Sequence, residues 1–329
     1  MGLESQTKVC ATAVIPSWNR RGLLVTLLEN LKGQTTGFDE VIVVDNGSTD
    51  GSAEVAEEMG ARVVRLPTNL GFAAAVNRGI AETRCEWVAI LNNDVTLEPD
   101  WLERILAVGG DAEFAAGKIL SAGDSNVIDG TFDLVARSGC AWRCGSGKAD
   151  SPVWNRARKI FMAPMTAALF RRGLFEEIGG LDEQFGSYLE DVDFGMRCAL
   201  AGRGGVYVPE AVAHHLGSAT SGRWHSDTVR LIARNQVLLA RKYLGGSAWW
   251  PVVAGQLLWG LVACRHGRGL SYLRGKLQGL RLPLLPFVQG ERSQTVNAVL
   301  EDSERHIFEL ESETGMDRYW RVYFWLSRR

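Results

Sequence analysis

Three carboxylates fall within four residues at Glu190-Asp191-Val192-Asp193, with Arg197 one helical turn further along. Gly179-Gly180-Leu181-Asp182 precedes them, and an apolar pattern of Phe194, Met196 and Leu200 follows. Acidic side chains suit the first turn of a helix, where the dipole is positive. A solvated helix cap would need only one of them. Three acids among aromatic and apolar neighbours point instead to a catalytic carboxylate cluster, with Asp193 and Arg197 spaced as a structural ion pair. Other polar groups with chemical capacity are Asp45-Asn46-Gly47-Ser48, Asn92-Asn93-Asp94 and the pair His214-His215.

These groups need elements to position them. Val9 to Ile15 reads as a strand ending at Pro16, and leucines from Leu23 to Leu31 recur at helical spacing. Val41 to Val44 is a continuous apolar strand, as expected in a parallel sheet covered on both faces. Arg62 to Leu66 and Trp87 to Leu91 read as further strands, with a helix from Phe72 to Thr83 between them and Pro99 placed for the first turn of the next helix. Strand and helix alternate, so the chain is expected to be α/β, with a mainly parallel central sheet flanked by helices. Such sheets bind ligands beyond the carboxyl ends of their strands. Here those ends read Pro16-Ser17-Trp18-Asn19-Arg20, Asp45-Asn46-Gly47-Ser48 and Asn92-Asn93-Asp94.

Further on, periodicity is lost from Ser121 to Arg158, a stretch expected to form short strands and a mobile loop near the site. Ile160 to Arg172 restores it, a helix is expected near Leu174 to Ile178, Val206 to Val208 reads as a short strand ahead of His214-His215, and Trp224 to Leu244 reads as a helix. Ala248 to Cys264 carries no charge, and Arg265 to Arg281 supplies six basic residues among Leu and Tyr. The uncharged run is shorter than the ~20 residues of a comfortable span. An interfacial or re-entrant membrane association fits it, with a buried core helix as the alternative. Residues 1–244 are therefore expected to form one domain and 245–329 a helical, basic and apolar extension, whose end is a candidate for packing or homo-oligomer contact.

Composition narrows the class of function. A net charge of -2 and a pI near 6.3 argue against nucleic acid as partner. The six cysteines are scattered without a zinc-site spacing, and most are expected to be buried thiols of a reducing compartment. Met1 to Lys8 lacks the apolar core of a secretory signal, so a cytoplasmic location is expected, peripheral to the inner face of the cytoplasmic membrane if the C-terminal segment binds there. No Gly-x-Gly-x-x-Gly follows the first strand, which removes the dinucleotide-binding reading. Gly145-Ser146-Gly147-Lys148 lacks both the hydroxyl residue after lysine and the earlier glycine of a P-loop.

Seven segments in order carry a family resemblance: Val14 to Arg20, Val44 to Gly51, Asn69 to Gly79, Leu91 to Asp94, Gly179 to Asp182, Tyr188 to Asp193 and His215 to Thr220. Over roughly residues 9 to 240 the chain resembles the family-two inverting glycosyltransferases of the GT-A fold, especially bacterial rhamnosyltransferase-like enzymes. The resemblance implies a sugar donor activated by a nucleoside diphosphate, with dTDP-rhamnose favoured over a UDP-sugar. It implies a cell-surface glycan or lipid-linked acceptor, and Mn2+ or Mg2+ as cofactor. On it, Asp191 is the general base and Glu190 its neighbour that orients the acceptor or tunes the base. Asp94 and His215 hold the metal, with His214 as alternative ligand. Asn92 replaces the first acid of the DXD-like motif, leaving one protein carboxylate at the cation. Pro16, Asn19, Arg20, Asp45, Asn46, Gly71, Asn77 and Asn93 are implied to line the donor pocket, and Thr166 and Gly180 to border the acceptor cleft. A nucleotidyltransferase would carry a Gly-rich, Arg-containing loop after the first strand, and Pro16 to Arg20 contains no glycine. A binding protein without catalysis would not need Glu190, Asp191 and His215 together.

Overall fold

Along the first half of the chain, apolar runs of four to seven residues become strands and the longer amphipathic segments become helices. The computed structural model describes residues 9–107, 112–217, 224–244, 249–283 and 291–327. Met1 to Lys8 and the Ser218 to Thr220 end of the last motif lie outside the described residues. The order begins β1 (Ala11–Ser17), α1 (Arg21–Lys32), β2 (Glu40–Asp45), α2 (Ser52–Glu58), β3 (Arg62–Arg65), α3 (Phe72–Glu82) and β4 (Trp87–Leu91). It continues with β5 (Val95–Leu97), α4 (Trp101–Leu106), β6 (Phe114–Ser121), β7 (Asp124–Gly130), β8 (Asp133–Val135) and β9 (Ala141–Arg143). Then come β10 (Arg158–Ile160), β11 (Ala167–Arg171), α5 (Arg172–Ile178), α6 (Glu190–Leu200), β12 (Gly205–His215) and α7 (Ser226–Tyr243). The last helices are α8 (Trp249–Arg265), α9 (Gly269–Arg281), α10 (Glu291–Thr314) and α11 (Arg318–Ser327).

The main sheet runs β10-β12-β6-β11-β4-β1-β2-β3, with β5 on β12 and β7 on β6. The half β4-β1-β2-β3 is parallel, whereas β11 runs antiparallel to both β4 and β6. Successive residues of these strands enter opposite cores, as the pleat requires. Val14, Ile42, Val44 and Ile90 face one cluster, and Ile15, Val43, Ala89 and Leu91 face the other. Burial on both faces explains why the strands read as unbroken apolar runs. Pro16 lies inside β1 rather than ending it, because pairing with β4 stops at Val14 and no ladder there needs its missing N–H.

Three expectations change. Val206 to His215 is one strand, β12, with a register shift between Val208 and Val212, so both histidines are strand residues. Pro99 precedes the capping residue Asp100 instead of occupying the first turn of α4. The aperiodic stretch from Ser121 does form the expected short strands, as β7, the β8–β9 hairpin and β10. Cys10 and Cys85 are joined by a disulfide with Cα atoms 4.9 Å apart, because each stands just before one of the neighbouring strands β1 and β4. Cys140, Cys144 and Cys198 are buried thiols, and Cys264 is exposed.

The C-terminal helices complete the first core. Ile307 and Leu310 of α10 and Trp320, Tyr323 and Phe324 of α11 belong to the same cluster as Val14 and Ile90. Helix α8 is partly buried, through Ala254, Gly255 and Ala263, and partly exposed. Among the described residues no helix is long and apolar enough to cross a membrane.

Candidate active site

Three strand ends converge. Asp45 at the end of β2 is buried and accepts the backbone N–H of Ser48, 3.3 Å away. Asn46 holds the loop before α3 by accepting from Leu70 N at 2.8 Å and donating to Gly71 O at 3.0 Å. Asn19 takes a left-handed backbone (φ 49°) and receives the Thr49 N–H at 2.8 Å, pinning the loop after β1 to the loop after β2. Asn93 donates to Ser17 Oγ at 3.1 Å. Arg20 is half-buried at the start of α1, and Pro16 is half-buried beside it in the chain. A Cβ at Gly71 would stand 3.0 Å from Gly186 Cα, so this loop touches the one that leads to Glu190.

The metal-ligand candidates meet as well. Pairing of His215 with Val95 sets Asp94, the preceding residue, beside the imidazole: Nε2 lies 3.2 Å from Asp94 Oδ1. Its Nδ1 lies 2.8 Å from Asp129 Oδ2, on β7. His214 points to the other face of the strand and bonds Glu98 at 2.7 Å, so His215 is the histidine that meets Asp94. Burial alone would lower the His215 pKa, but the hydrogen bonds to Asp129 and Asp94 outweigh it and hold the value up at about 9. A carboxylate and an imidazole nitrogen on one spot fit a small divalent cation that keeps further coordination positions for phosphate and water.

The acidic cluster opens α6. Tyr188 (φ 72°) and Leu189 (φ 67°) are both left-handed, a costly conformation for side chains of their size. Asn235 of α7 holds them there, its amide reaching Phe185 O at 2.9 Å, Ser187 O at 2.9 Å and Tyr188 O at 2.5 Å. The turn swings Asp191 toward Arg143, whose guanidinium lies 3.3 Å from Asp191 Oδ2, 3.3 Å from Asp133 Oδ1 and 3.1 Å from Thr166 Oγ1. Gly130 makes room for it, since a Cβ there would stand 2.4 Å from Arg143 Cδ. Glu190 is buried, with one carboxylate oxygen lacking a hydrogen-bond partner among the described residues. Burial first, and the neighbouring Asp191 second, push its pKa well above the ordinary carboxylate range. Asp133 is pushed up to about 6, by burial against the opposing pull of Arg143.

One chain of contacts therefore runs through the site. Asp94 meets His215, His215 meets Asp129, Asp129 adjoins Gly130, and Gly130 lies under Arg143, which reaches Asp191. Thr166 closes it from the other side by accepting the Asn92 N–H on its carbonyl at 2.9 Å. Asn77 and Gly180 join each other instead of this chain. The Asn77 amide is committed to Leu181 N at 2.7 Å and Leu181 O at 2.9 Å, and Gly180 leaves space for it. Asp193 bonds Arg197 at 3.0 Å, and Arg197 also donates to the carbonyls of Ile178, Gly179 and Gly180, so the expected ion pair also fixes the segment before α6. Asp129, Asp133 and Arg143 carry no motif in the sequence, and only sheet pairing reveals them.

Known proteins share this arrangement of elements. GalNAc-T7, solved with UDP, GalNAc and Mn2+, superposes with a TM-score of 0.65 at 13% identity, over 94% of this chain and 59% of that one. The mannosyltransferase PcManGT from Pyrobaculum calidifontis, solved with GDP-Man and Mn2+, gives a TM-score of 0.52 at 18% identity, over 95% and 85% of the two chains. The fold is GT-A. N-acetylglucosaminyl-diphospho-decaprenol L-rhamnosyltransferase of Mycobacterium tuberculosis is 29% identical over 281 residues, 76% of this chain and 88% of that protein. The pre-mycofactocin glycosyltransferase of the same organism is 31% identical over 209 residues, 62% of this chain and 42% of that one. A family model described as glycosyl transferase family 2 matches residues 12–179, and with more than half of its length so matched the chain belongs to that family.

Proposed function

We propose that this glycosyltransferase works with inversion, moving a sugar from a nucleoside diphosphate to a hydroxyl of a cell-surface glycan or lipid-linked acceptor, with Asp191 as general base. Rhamnose, carried by dTDP, is the favoured sugar, supported by the rhamnosyltransferase that is similar over most of both chains. The observation that carries the reading is the continuous contact chain from Asp94 and His215 to Asp191. Donor and acceptor groups would thereby meet in one place.

The protein groups divide the work. Asp45, Asn46 and Asn19 shape the pocket for the donor's base, with Pro16 and Arg20 at its wall and Asn93 near the diphosphate. A divalent cation, Mn2+ or Mg2+, held by Asp94 and His215 would act as a Lewis acid on the departing diphosphate. Asp129 keeps the His215 ring oriented by holding Nδ1, so that Nε2 faces Asp94. Arg143 and Thr166 fix the Asp191 carboxylate, which takes the proton of the acceptor hydroxyl as that oxygen attacks the anomeric carbon. Attack from the face opposite the diphosphate inverts the centre without a covalent enzyme intermediate. Glu190, whose charged form is disfavoured by burial and by its neighbour Asp191, supports the acceptor side beside the base. Gly71 and Gly180 by their lack of a side chain, and Asn77 by its side-chain amide, keep the loops around the pocket in close contact.

A panel of dTDP-, UDP- and GDP-sugars with Mn2+ or Mg2+, read as nucleoside diphosphate release with and without chelator, tests the reading. Release from one donor that a chelator abolishes is the expected result. Release that ignores the chelator would remove the cation from the mechanism, and absence of turnover with every donor would overturn the function.

A further inference from the structure

The hairpin of α8 and α9 shows two faces of opposite character. Its inner face is made of small residues that let backbones approach. A Cβ at Gly275 would stand 2.2 Å from Arg230 O, and one at Gly279 would stand 2.7 Å from Arg234 O, both on α7. The outer face carries Leu257 and Leu261 on α8 and Leu270, Leu273, Leu277 and Leu280 on α9, each more than half exposed. Spacings of three and four residues set each group of leucines on one side of its helix. Trp249 and Trp325 are also exposed, and the Trp250 indole, bonded to Leu326 O at 3.0 Å, joins the start of α8 to the end of α11. Exposed leucines in contiguous rows mark a surface that something covers.

Charge identifies the occupant. From Trp249 to Pro283 there is no Asp or Glu, in a chain with 38 acidic residues, while Arg265, Arg274 and Arg281 are exposed at the leucine ridges. A second copy docking hairpin to hairpin by twofold symmetry would set two basic surfaces against each other, with no acid in either hairpin to pair the arginines. Anionic phospholipid headgroups would pair them, with leucine and tryptophan side chains entering the acyl boundary. We propose that the α8–α9 hairpin is the surface by which the chain lies on an anionic bilayer, presenting its site to an acceptor resident in that bilayer. The route from ridge to site is short. Helix α9 packs on α7, and α7 supplies Asn235, whose amide holds the turn just ahead of Glu190 and Asp191. The acceptor part of this inference rests on the proposed transferase function, whereas the bilayer surface stands on the hairpin alone.

The test is sedimentation of the full chain with phosphatidylcholine vesicles, with and without phosphatidylglycerol. Binding is expected only with the anionic lipid and should weaken as salt rises. Changing Leu273→Asp together with Leu277→Asp should weaken it by roughly tenfold or more. Arg274→Gln with Arg281→Gln should lower it by about fivefold per charge removed while leaving the fold unaltered. Donor hydrolysis in lipid-free buffer serves as the control and should survive in both variants, so loss of hydrolysis in the wild type would count against the transferase reading and not against the bilayer surface. Equal binding to neutral and anionic vesicles, or no binding, would overturn the proposal. So would a lipid-free dimer that the leucine variants convert to monomer.

Discussion

At the scale of single residues, the site divides between groups with a sequence signature and groups without one. Asp191 and His215 stand in recognisable local patterns, and the structure links them through Asp129, Gly130 and Arg143. Asp191→Asn keeps the shape and an oxygen that accepts from Arg143, while removing the charge and the proton acceptor. It should reduce transfer by about 10²-fold or more with donor binding intact. Parallel loss of donor affinity, measured by calorimetry, would contradict a base and point to a donor ligand. Asp129 carries a sharper prediction. Its carboxylate 2.8 Å from His215 Nδ1 makes it a positioning residue for the ring. Asp129→Ala should weaken Mn2+ binding to the free protein by roughly 10–100-fold, and Asp129→Asn should restore most of it, because an amide oxygen accepts the same N–H. Paramagnetic resonance titration of free Mn2+ reads both, and equal affinities in all three proteins would remove the role. Nothing in the sequence could have singled out Asp129, since its neighbours Val127, Ile128 and Gly130 form no motif and its partner is 86 residues away.

At the scale of elements, the parallel half was legible because β1, β2 and β4 are buried on both faces and therefore read as apolar runs. The segment from Ser121 was legible only as short strands without bounds or pairing, because β8, β9 and β10 are three residues each, too short for a period to register. It is this segment that brings Asp129, Asp133 and Arg143 to the site. The division of β12 into a strand and a separate histidine pair also failed for a local reason: the register shift between Val208 and Val212 breaks the alternation. The turn into α6 gives the element-scale prediction. Two left-handed residues without the freedom of glycine stay in place while Asn235 bonds the carbonyls around them. Asn235→Ala should cost about 1–3 kcal/mol by leaving buried carbonyls without a donor. It should also lower kcat more than it raises the KM for donor, because the turn aims Asp191. A variant with reduced urea stability but unaltered kcat would show that the turn keeps its shape without α7.

At the scale of the whole molecule, the C-terminal residues expected to form an extension are built into the same structure that carries the chemistry. Val135 N of the β8–β9 hairpin donates to Ser303 Oγ of α10 at 2.9 Å. Glu304, buried one residue further, bonds Arg137 N at 2.8 Å and Arg137 Nε at 2.7 Å, and takes the Tyr323 hydroxyl from α11. Lys148 beyond the hairpin reaches Asp317 at 2.7 Å. This hairpin is the one that begins with Asp133 and ends with Arg143, so α10 and α11 brace the arginine that fixes Asp191. Their charged composition hid the connection, because polar contacts carry part of it and Ile307, Leu310 and Phe324 are thinly spaced among acids and bases. Glu304→Ala strands the Arg137 guanidinium and the buried Tyr323 hydroxyl together and should cost about 3 kcal/mol. Because these helices share a core with the sheet, the loss should move a single urea transition to lower concentration, and the variant should lose transfer activity before that midpoint. Two separate transitions, with the sheet unfolding where it does in the unmodified chain, would make the C-terminal helices an independent unit and leave Arg143 to hold its place without them.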